Sequence, residues 1–489
     1  MTIRLLRCWA LTLSLLLLLT ACDNEASLYD GEAVSVSVAQ INADPEALVG
    51  QLLAINEPLT IAGNYHMASH SRLVAVSGER WFTPTQIALP GEEAMAQLQR
   101  DEARSLILQA DFMPLRDFGF VDADVDRLAG VRSGRQLDGL IGILEISEWG
   151  PVLRLTEEPR FDFSPRPAAP EFAPGAFRIA AFNVLNYFNG DGHGGGFPTE
   201  RGAESLDAFL LQRDKLFAAM LAMDADLIAL SEVENNGFGE GSAIQDLVDG
   251  INALLPAERH YRAVTVEPGR LGSDVIAVGM LYRPAVISPT GQAVTLTQGP
   301  YSINNRPPLA ASFSHRESGQ TLTLVANHLK AKSGCQRAEG ADTDQGDGQG
   351  CFNAVRTQAA RLQMDWLQTH PTGIEAPLIL AGDFNAYAKE DPMQVFYQAG
   401  FARAMDLAGR GPGYSYVFRG RSGSLDHILV DPQLQGRLLD AQSWAINADE
   451  SRALEYDQAL NTPLETDPAT PWRSSDHDPL IAAFEFSGE

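Results

Sequence analysis

With 489 residues the chain is too long for one ordinary core, which points to two domains or one large one. Its apolar share of 45% is ordinary for a globular protein and excludes a fibrous or wholly disordered chain. A formal net charge of −27 argues against non-specific clinging to polyanions, yet leaves room for an enzyme that acts on one, because bound metal and a local basic groove offset the field at a site.

The first residues read as an export signal. Arg4 and Arg7 precede an apolar run, Leu11 to Leu19, and Leu19-Thr20-Ala21-Cys22 then places small residues ahead of a cysteine. The run is shorter than the ~20 residues that span a bilayer, so a transmembrane helix is the weaker reading and a plain secretory signal the nearer competitor. The tetrapeptide resembles a bacterial lipoprotein signal, which implies cleavage after residue 21, a lipid on Cys22 and attachment to a membrane of the cell envelope. Losing residues 1–21, with two Arg and no acid, takes the formal charge from −27 to −29. Residues 22–32 are polar and read as a tether.

Residues 33–163 hold short β-rich runs between turn residues, among them 33–38, 72–76 and 140–146. Their alternation and Gly/Pro punctuation predict a small β-barrel or sandwich; a β-barrel-like, OB-like domain is the reading invited by similar chains that carry such a barrel. Tyr65, Trp81, Phe82 and Phe120 are candidates for stacking on bases or for its core. Residues 164–176 are rich in Pro and Ala and predict a stiff linker.

From Phe177 to residue 489 apolar strands alternate with helical stretches. The predicted strands are 177–187, 226–231, 274–283, 321–328, 377–382, 424–430 and 480–485; the predicted helices are 205–223, 242–255 and 352–369. Several strands have no helix between them, so mixed sheets fit better than a doubly wound one. Polar residues recur where these strands end: Asn183, Glu232, His328, Asp383 with Asn385, Asp426, and Asp476 with His477. Strand ends converge on one edge of a sheet, which places these residues in one cleft. Carboxylates with amides suit a hard cation such as Mg2+, and imidazoles beside them suit phosphoryl transfer. The chain lacks the G-x-S-x-G elbow of a serine hydrolase.

Cys335 and Cys351 remain once Cys8 and Cys22 are assigned to the signal and the anchor. In an exported protein a disulfide is the natural reading, with two free thiols as the alternative. Between them, Asp342, Asp344 and Asp347 resemble the opening of a calcium loop, but with one extra residue and no Glu at the twelfth place. A solvated acidic turn is the plainer reading. Arg201, Arg213, Lys330, Lys332 and Arg356 are candidates for contact with a phosphate backbone.

The ordered series Phe182-Asn183-Val184, Ser231-Glu232-Val233, Asn327-His328-Leu329-Lys330, Gly382-Asp383-Phe384-Asn385-Ala386, Leu425-Asp426-His427 and Ser475-Asp476-His477-Asp478-Pro479 resembles the endonuclease/exonuclease/phosphatase superfamily. Within it the blocks at 183–188, 327–332, 348–353 and 444–450 resemble ExeM/NucH-type extracellular bacterial nucleases. The resemblance implies a DNase I-like four-layered α/β sandwich with two mixed sheets. It implies Glu232, Asn183 and Asp476 as metal ligands, Mg2+ as the ion with Mn2+ as the alternative, and Ca2+ as a candidate structural ion. Asp383 would orient the attacking water, Asn385 would hold the phosphate, and His477 would contact it, polarised by Asp426. His328 would be the second imidazole, paired with Asp274. The substrate implied is extracellular DNA, with RNA as the alternative, and no protein partner is inferred. A phosphatase, a sphingomyelinase-like lipid phosphodiesterase and a non-catalytic nucleic-acid-binding surface protein stay open on the same fold.

Overall fold

The structure, a computed structural model, describes residues 32–109, 131–267, 269–456 and 470–486. The export signal, Cys22, nearly all of the tether and Phe120 lie outside the described residues.

The N-terminal strands are β1 (Val34–Val36), β2 (Leu52–Ile55), β3 (Leu59–Gly63), β4 (Arg72–Ser77), β5 (Ser105–Gln109), β6 (Gln136–Asp138), β7 (Ile141–Ser147), β8 (Gly150–Leu155) and β9 (Arg160–Phe161). They form one sheet in the order β1-β2-β7-β8-β5-β4-β3-β6-β9. Strand β6 runs on through Gly139 and Leu140 into β7. The path β3-β4-β5-β8 therefore returns through β7 and β6 onto β3, closing a five-stranded barrel with a parallel β5/β8 pair. Leu59, Ile61, Leu73, Ala75, Leu106, Leu108, Leu144 and Leu153 alternate along these strands and fill it.

The remaining strands are β10 (Phe177–Tyr187), β11 (Leu227–Glu234), β12 (Arg262–Ala263), β13 (Ile276–Tyr282), β14 (Ile287–Thr295), β15 (Arg306–His315), β16 (Thr321–His328), β17 (Leu378–Asp383), β18 (Ala402–Arg403), β19 (Tyr416–Phe418), β20 (Arg421–Gly423), β21 (Asp426–Val430), β22 (Leu438–Ser443) and β23 (Leu480–Phe484). Two six-stranded mixed sheets result, in the orders β12-β13-β11-β10-β23-β22 and β14-β15-β16-β17-β21-β18. Only β10/β11 and β16/β17 pair in parallel within them. The period-2 pattern explains the layering. Ile179, Ala181, Leu227 and Ala229 of one sheet and Leu324, Ala326, Ile379 and Ala381 of the other share a single core. The alternate residues face helices: Ala180, Phe182, Ile228 and Leu230 pack with the helices Leu206–Met223 and Ala243–Asn252. Val325 and Leu380 pack with Asn353–Leu367 and Asp391–Gln398. Helix, sheet, sheet, helix is the four-layered sandwich the resemblance implied. Each fully buried Leu, Ile or Phe in these layers contributes about 1.5–3 kcal/mol.

The barrel is joined to the sandwich by the hairpin β19–β20. Thr83 N–H donates to Ser422 O (2.8 Å) and Ser422 N–H to Trp81 O (3.2 Å), while Trp81 Nε1–H donates to Gly420 O. A Cβ at Gly63 would stand 2.8 Å from the Gly420 Cα, so only glycine permits this backbone approach. Arg80 pairs with Asp449 (2.8 Å) and Arg132 with Glu450 (2.7 Å) across the same junction.

Candidate active site

The register of the two parallel pairs builds the site. In one sheet, His328 ends β16 level with Asp383 at the end of β17, and Asp383 is level with Asp426 at the start of β21. Three functional residues thus stand in one row. In the other sheet, Asn183 of β10 lies level with Ser231 of β11, and Glu232 follows. At that level the ladder shifts between Asn183 and Tyr187 on β10 and between Leu230 and Val233 on β11. Bulges of this kind re-aim side chains. Glu232 (φ 66°), Asn186 (φ 51°) and, on the other sheet, Asn385 (φ 47°) occupy the left-handed region, which asparagine tolerates and which costs Glu232 roughly 1–2 kcal/mol.

Across the sandwich the rows touch. Asn183 Nδ2 donates to Asp383 Oδ2 (3.2 Å), and Asn385 donates to Asp383 through its backbone N–H (2.8 Å) and Nδ2 (3.2 Å). His477 Nδ1 lies 2.6 Å from Asp426 Oδ2, which also accepts from Ser415 Oγ (2.7 Å). His328 Nε2 stands 3.6 Å from Asp383 Oδ2 and 3.9 Å from Glu232 Oε1. Asn186 N–H donates to Glu232 Oε2 (3.1 Å), and Ser475 Oγ donates to Asn183 O (2.6 Å). Every expected site residue except Asp274 is therefore bonded to, or within the direct electrostatic reach of, another.

Asp274 is the correction. It pairs with Arg306 (3.0 Å) and Arg201 (3.6 Å), and the buried His328 Nδ1 has no hydrogen-bond partner among the described residues. Arg306 lies level with His328 on the neighbouring strand β15 and offers Asp274 a full charge.

The electrostatics differ sharply from group to group. Burial pushes the Glu232 carboxyl up, and the facing Asp476 carboxylate pushes it further. Burial raises Asp383 to about 7, with the His477 charge opposing and Asp426 assisting the rise. Burial disfavours the His477 imidazolium, but Asp426 and Asp476 outweigh it and hold the ring well above its ordinary value. His328 goes the other way: burial, then the Arg306 and His477 charges, keep it neutral. His427 is a packed ring bonded at Nε2 to Ala386 O (2.9 Å), and burial lowers it to about 3.

Asp383, Asp426 and His477 offer ligand atoms within 4.8 Å of one another, close enough to share a metal ion. Within this group Asp426 Oδ2 and His477 Nδ1 already bond each other. Glu232 and Asp476 fit a hard cation as oxygen donors whose mutual repulsion a divalent charge relieves, and the Asn183 amide borders them through its bond to Asp383. The Cys335–Cys351 disulfide is formed. In the loop it closes, Asp342, Asp344 and Asp347 accept backbone N–H groups of Val355, Gly346 and Gln349. Among the described residues they do not form a group whose ligand atoms could share one cation.

Of the five cations expected at a phosphate backbone, Arg356, Lys332 and Arg213 are engaged with groups outside the site. Arg356 is fully buried and donates to Lys330 O and Gln349 O. Lys332 holds Glu390 (2.6 Å), and Arg213 lies beside Asp214 and Asp246. Arg201 and Lys330 act electrostatically on His328. Sequence reasoning missed Ser415, Arg306 and Tyr416, whose ring lies 4.7 Å from that of His477. Ser415 and Tyr416 sit in Gly411-Pro-Gly-Tyr-Ser-Tyr416, which signals only a turn.

The model of the Endonuclease/Exonuclease/phosphatase family matches residues 180–477, and no curated protein sequence matches the chain. Similar solved structures include an endonuclease/exonuclease/phosphatase from Bacteroides vulgatus, 18% identical, covering 63% of this chain and 98% of its own, with a TM-score of 0.41. A mannosyl-6-phosphatase from Bacteroides thetaiotaomicron is 16% identical over 63% of this chain and 98% of its own, with a TM-score of 0.39. D. rerio TDP2 complexed with a single strand DNA product is 17% identical over 64% of this chain and 99% of its own, with a TM-score of 0.37.

Proposed function

The chain belongs to the Endonuclease/Exonuclease/phosphatase family, and from that premise we propose that it is a divalent-metal-dependent phosphodiesterase cutting nucleic acid, extracellular DNA first. The observation that carries the reading is the pairing of a charged imidazole with a poised carboxyl: His477 held protonated by Asp426 at 2.6 Å, beside Asp383 raised to about 7. A base with a value near neutral pH suits deprotonation of water. Asp383 takes the proton as the water oxygen bonds to phosphorus and the leaving oxygen departs. Asn183 and Asn385 hold Asp383 in place. His477 presents its free ring edge to the non-bridging oxygens, where negative charge grows, and neutral His328 donates a hydrogen bond without adding charge. Glu232 and Asp476, with Asn183 beside them, would hold a divalent ion, whose charge would neutralise the phosphate and leaving oxygen.

Plasmid DNA, RNA, a monophosphate ester and sphingomyelin, each with Mg2+ and with EDTA, discriminate the rivals. Mg2+-dependent nicking of DNA is expected; hydrolysis confined to the monoester or to sphingomyelin would replace the reading with a phosphatase or a lipid phosphodiesterase. Export and anchoring at Cys22 complete the proposal on sequence grounds. Mass spectrometry of the mature N-terminus tests them, and an unlipidated N-terminus at another residue would defeat them.

A further inference from the structure

Beside the site, between barrel and sandwich, lies a cavity of about 300 Å³ lined by Tyr65 of the barrel and by Asn186, Tyr416, Arg419, Arg473 and Asp476 among others. It opens onto the chemistry, because Asn186 N–H bonds Glu232 and the Tyr416 ring packs on His477. Its charge is inverted relative to the chain as a whole. Three arginines, Arg419, Arg452 and Arg473, face two carboxylates, Glu455 and Asp476. Glu455 holds both Arg452 (2.9 Å) and Arg473 (2.6 Å). Arg419 is exposed and has no acid partner among the described residues.

The position of Arg419 is built rather than incidental. It sits at the tip of the β19–β20 hairpin with φ 50°, followed by Gly420 at φ 79°, the pair of positive φ values of a tight hairpin turn. A bulky side chain in that region is strained. The Gly63–Gly420 approach and the Trp81 bond clamp the tip to the barrel. Across the cavity Tyr65 is 57% exposed, and Arg452 lies over its ring at 4.7 Å.

Resting on the nuclease reading above, we propose that this cavity seats one unpaired nucleotide next to the scissile phosphate, its base against Tyr65 and its phosphate on Arg419, so that the enzyme prefers single-stranded or frayed DNA to intact duplex. The volume is at the lower end for a ligand pocket and admits one nucleotide but not a stacked base pair. A nucleotide drawn from a duplex must first be unstacked and unpaired, which disfavours duplex substrate.

The test uses the full chain with Mg2+, a labelled single strand, the same sequence as blunt duplex, and bis(p-nitrophenyl) phosphate for the unmodified enzyme. The expected KM is about tenfold lower for the single strand, the scale of one base–aromatic contact. Tyr65→Ala and Arg419→Gln each raise that KM about five- to tenfold while kcat is kept, and Tyr65→Phe restores it. Equal cleavage of both oligonucleotides by the unmodified enzyme, or unchanged KM in both variants, overturns the proposal with the nuclease reading intact. Hydrolysis of the small diester with neither oligonucleotide cut overturns the nuclease reading and the proposal with it.

Discussion

The two corners of the site hold the same residue type in opposite states. At one corner His477 has a carboxylate at 2.6 Å, a second carboxylate beside it and a tyrosine ring against its face. At the other, His328 is buried among Arg306, Arg201 and Lys330, with Nδ1 unpartnered among the described residues. Burial disfavours the charged form of both rings and prevails at His328, although Asp383 and Glu232 stand 3.6 and 3.9 Å from its Nε2; at His477 the Asp426 and Asp476 charges outweigh it. One cleft therefore carries an imidazolium and a neutral imidazole at the same pH, the division of labour that phosphoryl transfer uses when negative charge grows at one position and a plain hydrogen bond suffices at another.

The largest break in that comparison removes the charged corner. His477→Ala is expected to lower kcat on DNA by about 10³-fold, and His328→Ala by about 10²-fold, within the range of general acid–base contributions; single-turnover cleavage of a short oligonucleotide measures both. Next comes Asp426→Asn, expected to cost less than His477→Ala and to be non-additive with it, because both act through one ring. Full additivity of the double mutant would separate Asp426 from His477.

The pH profile sharpens the comparison further. Because the folded value of His477 is raised, the imidazolium persists at neutral pH and is lost only as pH rises through that raised value. The stability contributed by the pair follows the same sign, being fully present below about 6.5 and lost on that rise. In Asp426→Asn burial prevails, and the alkaline limb of kcat/KM should move to lower pH; an unmoved limb would remove His477 from the charged role. The smallest effect is expected from Asp274→Asn. Since Asp274 pairs with Arg306 and Arg201, kcat should fall by less than about threefold, the scale of a partly exposed ion pair, and a loss as large as that of His328→Ala would restore a link to that ring.

Legibility follows physical regularity. Predicted strand 177–187 coincides with β10, and β16, β17, β21 and β23 lie within a residue or two of their predicted spans, because each is a near-continuous apolar run with polar residues at its end. Strands β14 and β15 went unread. Ser288-Pro-Thr-Gly291 interrupts the first, and Arg306-Pro-Pro308 opens the second, residues that normally demote a strand. The sheet tolerates them at ladder shifts, between Thr290 and Val294 and between Arg306 and Leu309. Missing β15 is what hid Arg306, and with it the true partner of Asp274.

By itself the sequence determined a mixed α/β region, a β-rich domain ahead of it and the residue types of the cleft, since periodicity and chemistry are carried by neighbours along the chain. Tertiary structure alone decided that Asp274 serves Arg306 and not His328 and that Asn183 bonds Asp383 across the sandwich, while it realised the Asp426–His477 pair that the resemblance implied. Asp426 and His477 are separated by 51 residues, Asn183 and Asp383 by 200, and their pairing depends on strand register and on two bulges at one level. The same holds for the hairpin at Gly420, whose seat on Gly63 closes the cavity. A close backbone approach between distant glycines has no local signature, because it depends on the absence of side chains at two points that only folding brings together.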